Sequence, residues 1–135
     1  MRMAIVSSYP PRPCGIAVFS ADLRTGLLEV DRSLTVDVVA ITPRGGRPSQ
    51  MPEVIGTIRQ EVAGDYAAAA AALGERDLDV VLIEHEFGIF GGDAGRDILV
   101  LAENLTVPIV VTLHTVLAEP SSSQSTTLRS LCARA

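Results

Sequence analysis

Met3-Ala4-Ile5-Val6-Ser7-Ser8-Tyr9-Pro10-Pro11-Arg12-Pro13-Cys14-Gly15-Ile16-Ala17-Val18-Phe19 is the stretch that decides the fold. Met3 to Val6 is short, apolar and β-branched at its centre, which predicts a buried strand. A proline- and glycine-rich turn from Tyr9 to Gly15 ends it. Ile16, Phe19, Leu23, Leu27 and Val30 then recur at spacings of three and four, the apolar stripe of an amphipathic helix.

The same alternation continues outward along the chain. Thr35 to Ile41 reads as a second strand, Pro43 to Pro52 as a loop rich in Gly, Pro and Arg, and Val54 to Ile58 as a weaker strand near the sheet edge, since Gly56 lowers its propensity. Asp65 to Leu73 is an alanine-rich helix. Asp79 to Ile83 is an apolar strand, followed by a loop from Glu84 to Gly92. Ala94, Ile98, Leu101, Ala102 and Leu105 mark the next helix, and Val107 to Leu113 a further strand. Ser121 with Gln124 has the spacing of a capping box and opens a last helix toward Ala135. Strands alternating with helices imply parallel pairing with right-handed crossovers. The expectation is one α/β domain over residues 1–135, a Rossmann-like doubly wound sheet between two helical layers. A last helix with no strand after it gives the chain the look of part of a longer protein.

Composition narrows the function. Hydrophobic residues make up 47 % of the 135, enough for a core. The formal charge of −5 argues against a nucleic-acid partner, which calls for clustered basic residues. There is no lysine, so neither a Walker A phosphate loop nor a lysine Schiff base is available. Two cysteines, Cys14 and Cys132, make no disulfide framework, and a cytoplasmic location is the default expectation. The apolar run at the N-terminus is too short for a signal-peptide core or a membrane span. A role at a membrane surface stays open.

Ligands of open parallel sheets bind beyond the carboxyl ends of the strands, near the switch in strand order. With strand order 3-2-1-4-5, three segments converge there: Ser7 to Ile16, Glu84 to Gly92 and His114 to Pro120. The only two histidines, His85 and His114, fall in two of them. Gly15 opens the first helix, where unpaired N–H groups and the helix dipole favour an anion such as a diphosphate; a plain tight turn is the alternative. His114 is either a ligand-facing histidine or a core-edge one bonded to backbone. His85 lies between Glu84 and Glu86, and a carboxylate neighbour would favour its protonated form. Phe87-Gly88-Ile89-Phe90-Gly91-Gly92 suits either a loop folded over a ligand with exposed N–H groups or an apolar plug closing the sheet edge.

Other signals fail on placement. Asp77-Leu78-Asp79 has a D-x-D form but precedes its strand, at the opposite edge from the site. The cysteines lack further ligands at zinc spacing. No G-x-G-x-x-G fingerprint and no G-x-S-x-G elbow is present.

Met3 to Pro11 followed by Cys14-Gly15-Ile16-Ala17 resembles the opening of group-one, family-four-type glycosyltransferases of GT-B architecture. Glu84-His85-Glu86-Phe87-Gly88-Ile89-Phe90-Gly91-Gly92, with Val111-Thr112-Leu113-His114-Thr115-Val116 after it, is similar to a bacterial mannosyltransferase-like subgroup. The resemblance spans essentially the whole chain. It implies an N-terminal, acceptor-side domain facing a second, donor-binding domain across a cleft, and a chain that is inactive alone. The activity implied is transfer of a hexose, such as mannose, from a nucleotide-diphosphate sugar to a sugar, lipid or other small acceptor with retention of configuration. No metal and no further cofactor is implied.

The resemblance also gives roles to particular residues. Gly15 and Ile16 would approach the donor diphosphate, and His114 the transferred sugar and leaving phosphate. Tyr9, His85, Glu86, Phe87, Gly88, Phe90, Gly91 and Thr115 would line the acceptor side. Cys14 stands where relatives commonly carry a first glycine, which alters the expected diphosphate geometry. The surface meant for a partner domain would be exposed and open to self-association. Competing readings are another GT-B sugar enzyme, an epimerase or phosphorylase, and a flavodoxin-like interaction module without catalysis.

Overall fold

The computed structural model describes residues 1–135. Five strands form one all-parallel sheet: β1 Arg2–Ser8, β2 Thr35–Thr42, β3 Val54–Arg59, β4 Val80–His85 and β5 Ile109–Leu113. Their order is β3-β2-β1-β4-β5, the expected one. Four helices connect and flank them: α1 Gly15–Val30, α2 Ala63–Gly74, α3 Ile98–Asn104 and α4 Ser122–Cys132.

Strand alternation divides the core between the two faces. Ala4, Val6, Val39, Ile41, Val81 and Ile83 join residues of α2, α3 and α4 in the larger cluster. Ile5, Val36, Val38, Ala40 and Leu82 form a smaller cluster on the other face, against Leu23, Leu27 and Leu28 of α1. The result is a Rossmann-like three-layer αβα fold. β1 pairs with both β2 and β4, and Ala4, Ile5 and Val6 are wholly buried, which explains its near-continuous apolar run. The expected capping box forms: Ser121 Oγ accepts from Gln124 N, while Gln124 Oε1 accepts from Ser121 N. Asp79 sits at the amino edge of β4, where Oδ2 accepts from Arg2 N at 2.7 Å, so the D-x-D lies away from the switch point as expected.

Several boundaries differ from the sequence expectation: β1 runs on through Ser7 and Ser8, α2 is longer by two residues at its start and one at its end, and three further differences bear on the site. β4 continues through Glu84 and His85, because both pair with β5, opposite Thr112 and Leu113. Ala94 does not belong to a helix. It has φ of 51° within the short 3-10 turn Asp93–Gly95, and α3 begins only at Ile98. β5 begins at Ile109, just after Pro108, which has no N–H to give a ladder. No helix is long and apolar enough to cross a membrane.

Candidate functional site at the switch point

The sheet order reverses between β1 and β4, and the segments leaving β1, β4 and β5 meet at that carboxyl edge. Glu84 and His85 are adjacent in sequence but point to opposite faces. Glu84 turns toward the α1 side and is fully buried. Its carboxylate accepts from Thr112 Oγ1 at 3.3 Å and lies 2.8 Å from Nε2 of His114. A carboxylate partner puts the ring proton on Nε2 and leaves Nδ1 for a ligand. The His114 backbone N–H donates to the His85 carbonyl at 2.9 Å, which continues the β4–β5 pairing past Leu113. Its ring packs edge-on against Phe19, centroids 4.8 Å apart. His114 is therefore held on three sides and keeps about 15 % of its side chain exposed.

Phe19 lies four residues after Gly15, on the same face of α1. Cys14 is the N-cap, with Sγ accepting from Ala17 N at 3.4 Å and lying 3.2 Å from Ser8 Oγ. The Cys14 carbonyl takes the N–H groups of Ala17 and Val18, which leaves those of Gly15 and Ile16 unclaimed in the first turn. Cys14 has φ of −147°, extended backbone that needs no glycine, so its side chain costs the turn nothing in conformation. A Cβ on Gly15 would meet no atom within 4 Å, so this glycine leaves open space at the helix start.

Thr115 Oγ1 donates to Glu86 Oε2 and ties the segment after β5 to the one after β4. Glu86, Phe87 and Thr115 are half-buried and Gly88 is exposed, so these four reach the edge surface. The other expected acceptor-side residues lie inside the fold. Tyr9 is 3 % exposed in the smaller cluster, and its hydroxyl donates to Glu53 Oε1 at 2.8 Å. Burial, then the Glu53 carboxylate, pushes the Tyr9 hydroxyl pKa upward. Phe90 and Ile89 are core residues, so this part of the loop is the apolar plug rather than a ligand cover. Gly91 N–H donates to the Tyr66 hydroxyl at 2.8 Å and is not free for a ligand. A Cβ there would lie 2.0 Å from the Gln60 carbonyl oxygen, so glycine at this position serves close packing.

His85 is completely buried and stacks near-parallel to Phe90, centroids 5.7 Å apart, with Phe87 edge-on at 5.1 Å. Neither ring nitrogen has a hydrogen-bond partner. Burial lowers its pKa below the usual 6.5, against the opposing pull of Glu86; nearby His114 lowers it further. The neutral ring is favoured, the reverse of what its acidic neighbours suggested, because desolvation outweighs their field.

Sequence reasoning missed Gln60 and Tyr66. Gln60 Oε1 accepts from Arg12 Nη1 at 3.3 Å, and its Nε2 donates to the Gly88 carbonyl at 3.0 Å. The Tyr66 hydroxyl donates to the Gln60 carbonyl at 2.9 Å. These two residues join the ends of β1, β3 and β4 across a long stretch of sequence, so no local pattern could reveal them.

Fold and site together define an α/β domain with a histidine–carboxylate pair and an open helix N-terminus at its switch point. No family model, curated protein or solved structure matches the chain.

Proposed function

We propose that this chain is the acceptor-side domain of a retaining glycosyltransferase of GT-B type, moving a hexose from a nucleotide-diphosphate sugar. The observation that carries this reading is the placement of His114. The imidazole is held by buried Glu84 and packed on Phe19, one turn from the unclaimed N–H groups of Gly15 and Ile16. In such a transfer the bond from the sugar's anomeric carbon to the diphosphate oxygen breaks, an acceptor hydroxyl oxygen bonds to that carbon, and the hydroxyl proton passes to the departing diphosphate. The electron pair of the broken bond leaves with the diphosphate, and negative charge grows on the diphosphate oxygen. The two N–H groups at the helix start are the donors such charge calls for, and the His114 ring stands one turn away, where Nδ1 would meet the transferred sugar. Glu84 would hold the His114 ring in place. The half-buried Glu86, Phe87 and Thr115, with exposed Gly88, would face the acceptor. The donor's nucleotide would be held chiefly by a second domain.

The test is a titration with a nucleoside diphosphate and with its hexose ester, followed through the Gly15 and Ile16 amide resonances. Both ligands should shift these signals saturably, at millimolar affinity for half a site. His114→Ala should weaken the hexose ester more than the bare diphosphate, by about tenfold, the loss of one hydrogen bond from a sugar hydroxyl to Nδ1. Unmoved Gly15 and Ile16 signals would refute the diphosphate assignment.

A further inference from the structure

The chain has a second concentration of cationic groups that the histidine site does not use. Of its arginines, Arg24, Arg59 and Arg76 pair with Glu53, Asp65 and Asp37. Arg12, Arg44 and Arg47 form no ion pair, and they gather on two neighbouring segments, the β1–α1 turn and the loop after β2. A cleft of about 350 Å³ between these segments is lined by Pro11, Arg12, Pro13, Pro43, Gly46 and Arg47. Its lining includes two arginines and no acidic residue, on a chain whose net charge is −5. A second cleft of about 520 Å³ shares Pro11 and Arg47 and runs on to Pro48 and Met51.

Both walls are built. The Pro43 carbonyl accepts from Gly46 N at 2.9 Å, and Gly45 between them has φ of 72°, the left-handed position such a tight turn reserves for glycine. A Cβ on Gly46 would lie 2.9 Å from the Pro43 ring, so the turn closes only with glycine there. Arg12, on the opposite wall, is half-buried and steadied by Gln60 Oε1. That amide is neutral, so the guanidinium charge stays uncompensated and most of its donors stay free. Three proline rings supply apolar walls without competing N–H donors.

We infer that this cleft binds the phosphate of a small phosphate monoester, with Arg12 and Arg47 as paired donors. Guanidinium forks match tetrahedral oxyanions in bidentate geometry, and a cleft without carboxylates concentrates their field. The organic remainder of the ligand would lie along Arg47 toward Pro48 and Met51. This cleft shares no lining residue with the Gly15–His114 site, and the inference does not depend on the glycosyltransferase reading.

The experiment titrates the whole chain with inorganic phosphate and with glycerol phosphate, read at the arginine Nε–H resonances. Arg12 and Arg47 should shift saturably, with glycerol phosphate the tighter ligand, while Arg32 and Arg129 on the distant surface should not. Arg47→Gln, at an exposed position, should weaken binding about tenfold or more, and Arg12→Gln with Arg47→Gln should abolish it. Amide spectra of the variants check that the fold is kept. Equal shifts at all four arginines, no saturation, or binding that survives the double substitution would overturn the inference. Nucleoside diphosphate binding at Gly15 reports separately on the proposed function, so the two can fail independently.

Discussion

His85 bears the largest single conflict between residue type and surroundings. A buried polar group without a partner costs about 1–3 kcal/mol, and this ring has two such nitrogens between aromatic neighbours. Its lowered pKa also ties stability to pH. Below the unfolded value of 6.5 the unfolded chain takes up a proton that the native ring resists, so stability present above that pH is lost as pH falls through the window below it. Urea unfolding should therefore show the midpoint dropping as pH falls below about 6.5. His85→Leu should flatten that drop. A variant whose midpoint falls as steeply as the parent's would show that other groups carry the dependence. The Arg59–Asp65 contact acts in a different window. Hydrogen bonds from Arg59 hold the Asp65 carboxyl down at about 2, so its contribution disappears only at much lower pH.

At the scale of elements, the segment after β4 is fixed by two kinds of glycine. Gly91 sits where a side chain would strike the Gln60 carbonyl, whereas a Cβ on Gly88 would meet open space without positive φ. Gly91→Ala should destabilise by roughly 3 kcal/mol through forced backbone displacement. Gly88→Ala should stay within about 0.5 kcal/mol of the parent, as an exposed change without strain does. Denaturant midpoints compare them, and equal losses would mean that the segment yields more easily than its packing implies. The Tyr66 hydroxyl belongs to the same clamp. It donates to Gln60 and accepts from Gly91, and burial pushes its pKa up to about 12, so it remains a donor at any ordinary pH.

For the molecule as a whole, β1 and β4 lie inside the sheet, and both carry wholly buried residues. Protection from hydrogen exchange follows such double pairing and burial. Amides of Ala4 to Val6 and Val81 to Ile83 should exchange slowest, and those of the largely exposed Arg44 to Gln50 loop fastest. Slower exchange in α4 than in β1 would contradict a folding unit centred on these strands. The arrangement puts the rigid part of the fold directly beneath the switch point. His114 and the first turn of α1 are thus held from below, while the arginine-bearing loop is closed by its own Pro43–Gly46 turn.

The sequence by itself determined the class of fold. Apolar runs such as Met3 to Val6, short, β-branched and followed by turns and helical stripes, are buried most readily as parallel strands covered on both faces. It also determined the last helix start, because Ser121 and Gln124 satisfy each other locally. What it left undecided was where β4 ends, and the site depends on that residue. Pairing with β5 extends β4 by two residues, and strand alternation then sends Glu84 to the α1 side and His85 into the opposite core. The sequence offers three ionisable side chains in a row; tertiary structure makes one the support of His114, one a neutral core ring and one a partner of Thr115. The joining of Arg12, Gln60 and Gly88 likewise existed only once distant strand ends met. Local patterns encode which segments form strands and helices, whereas side-chain facing and long-range polar partners follow from register, which pairing between strands sets.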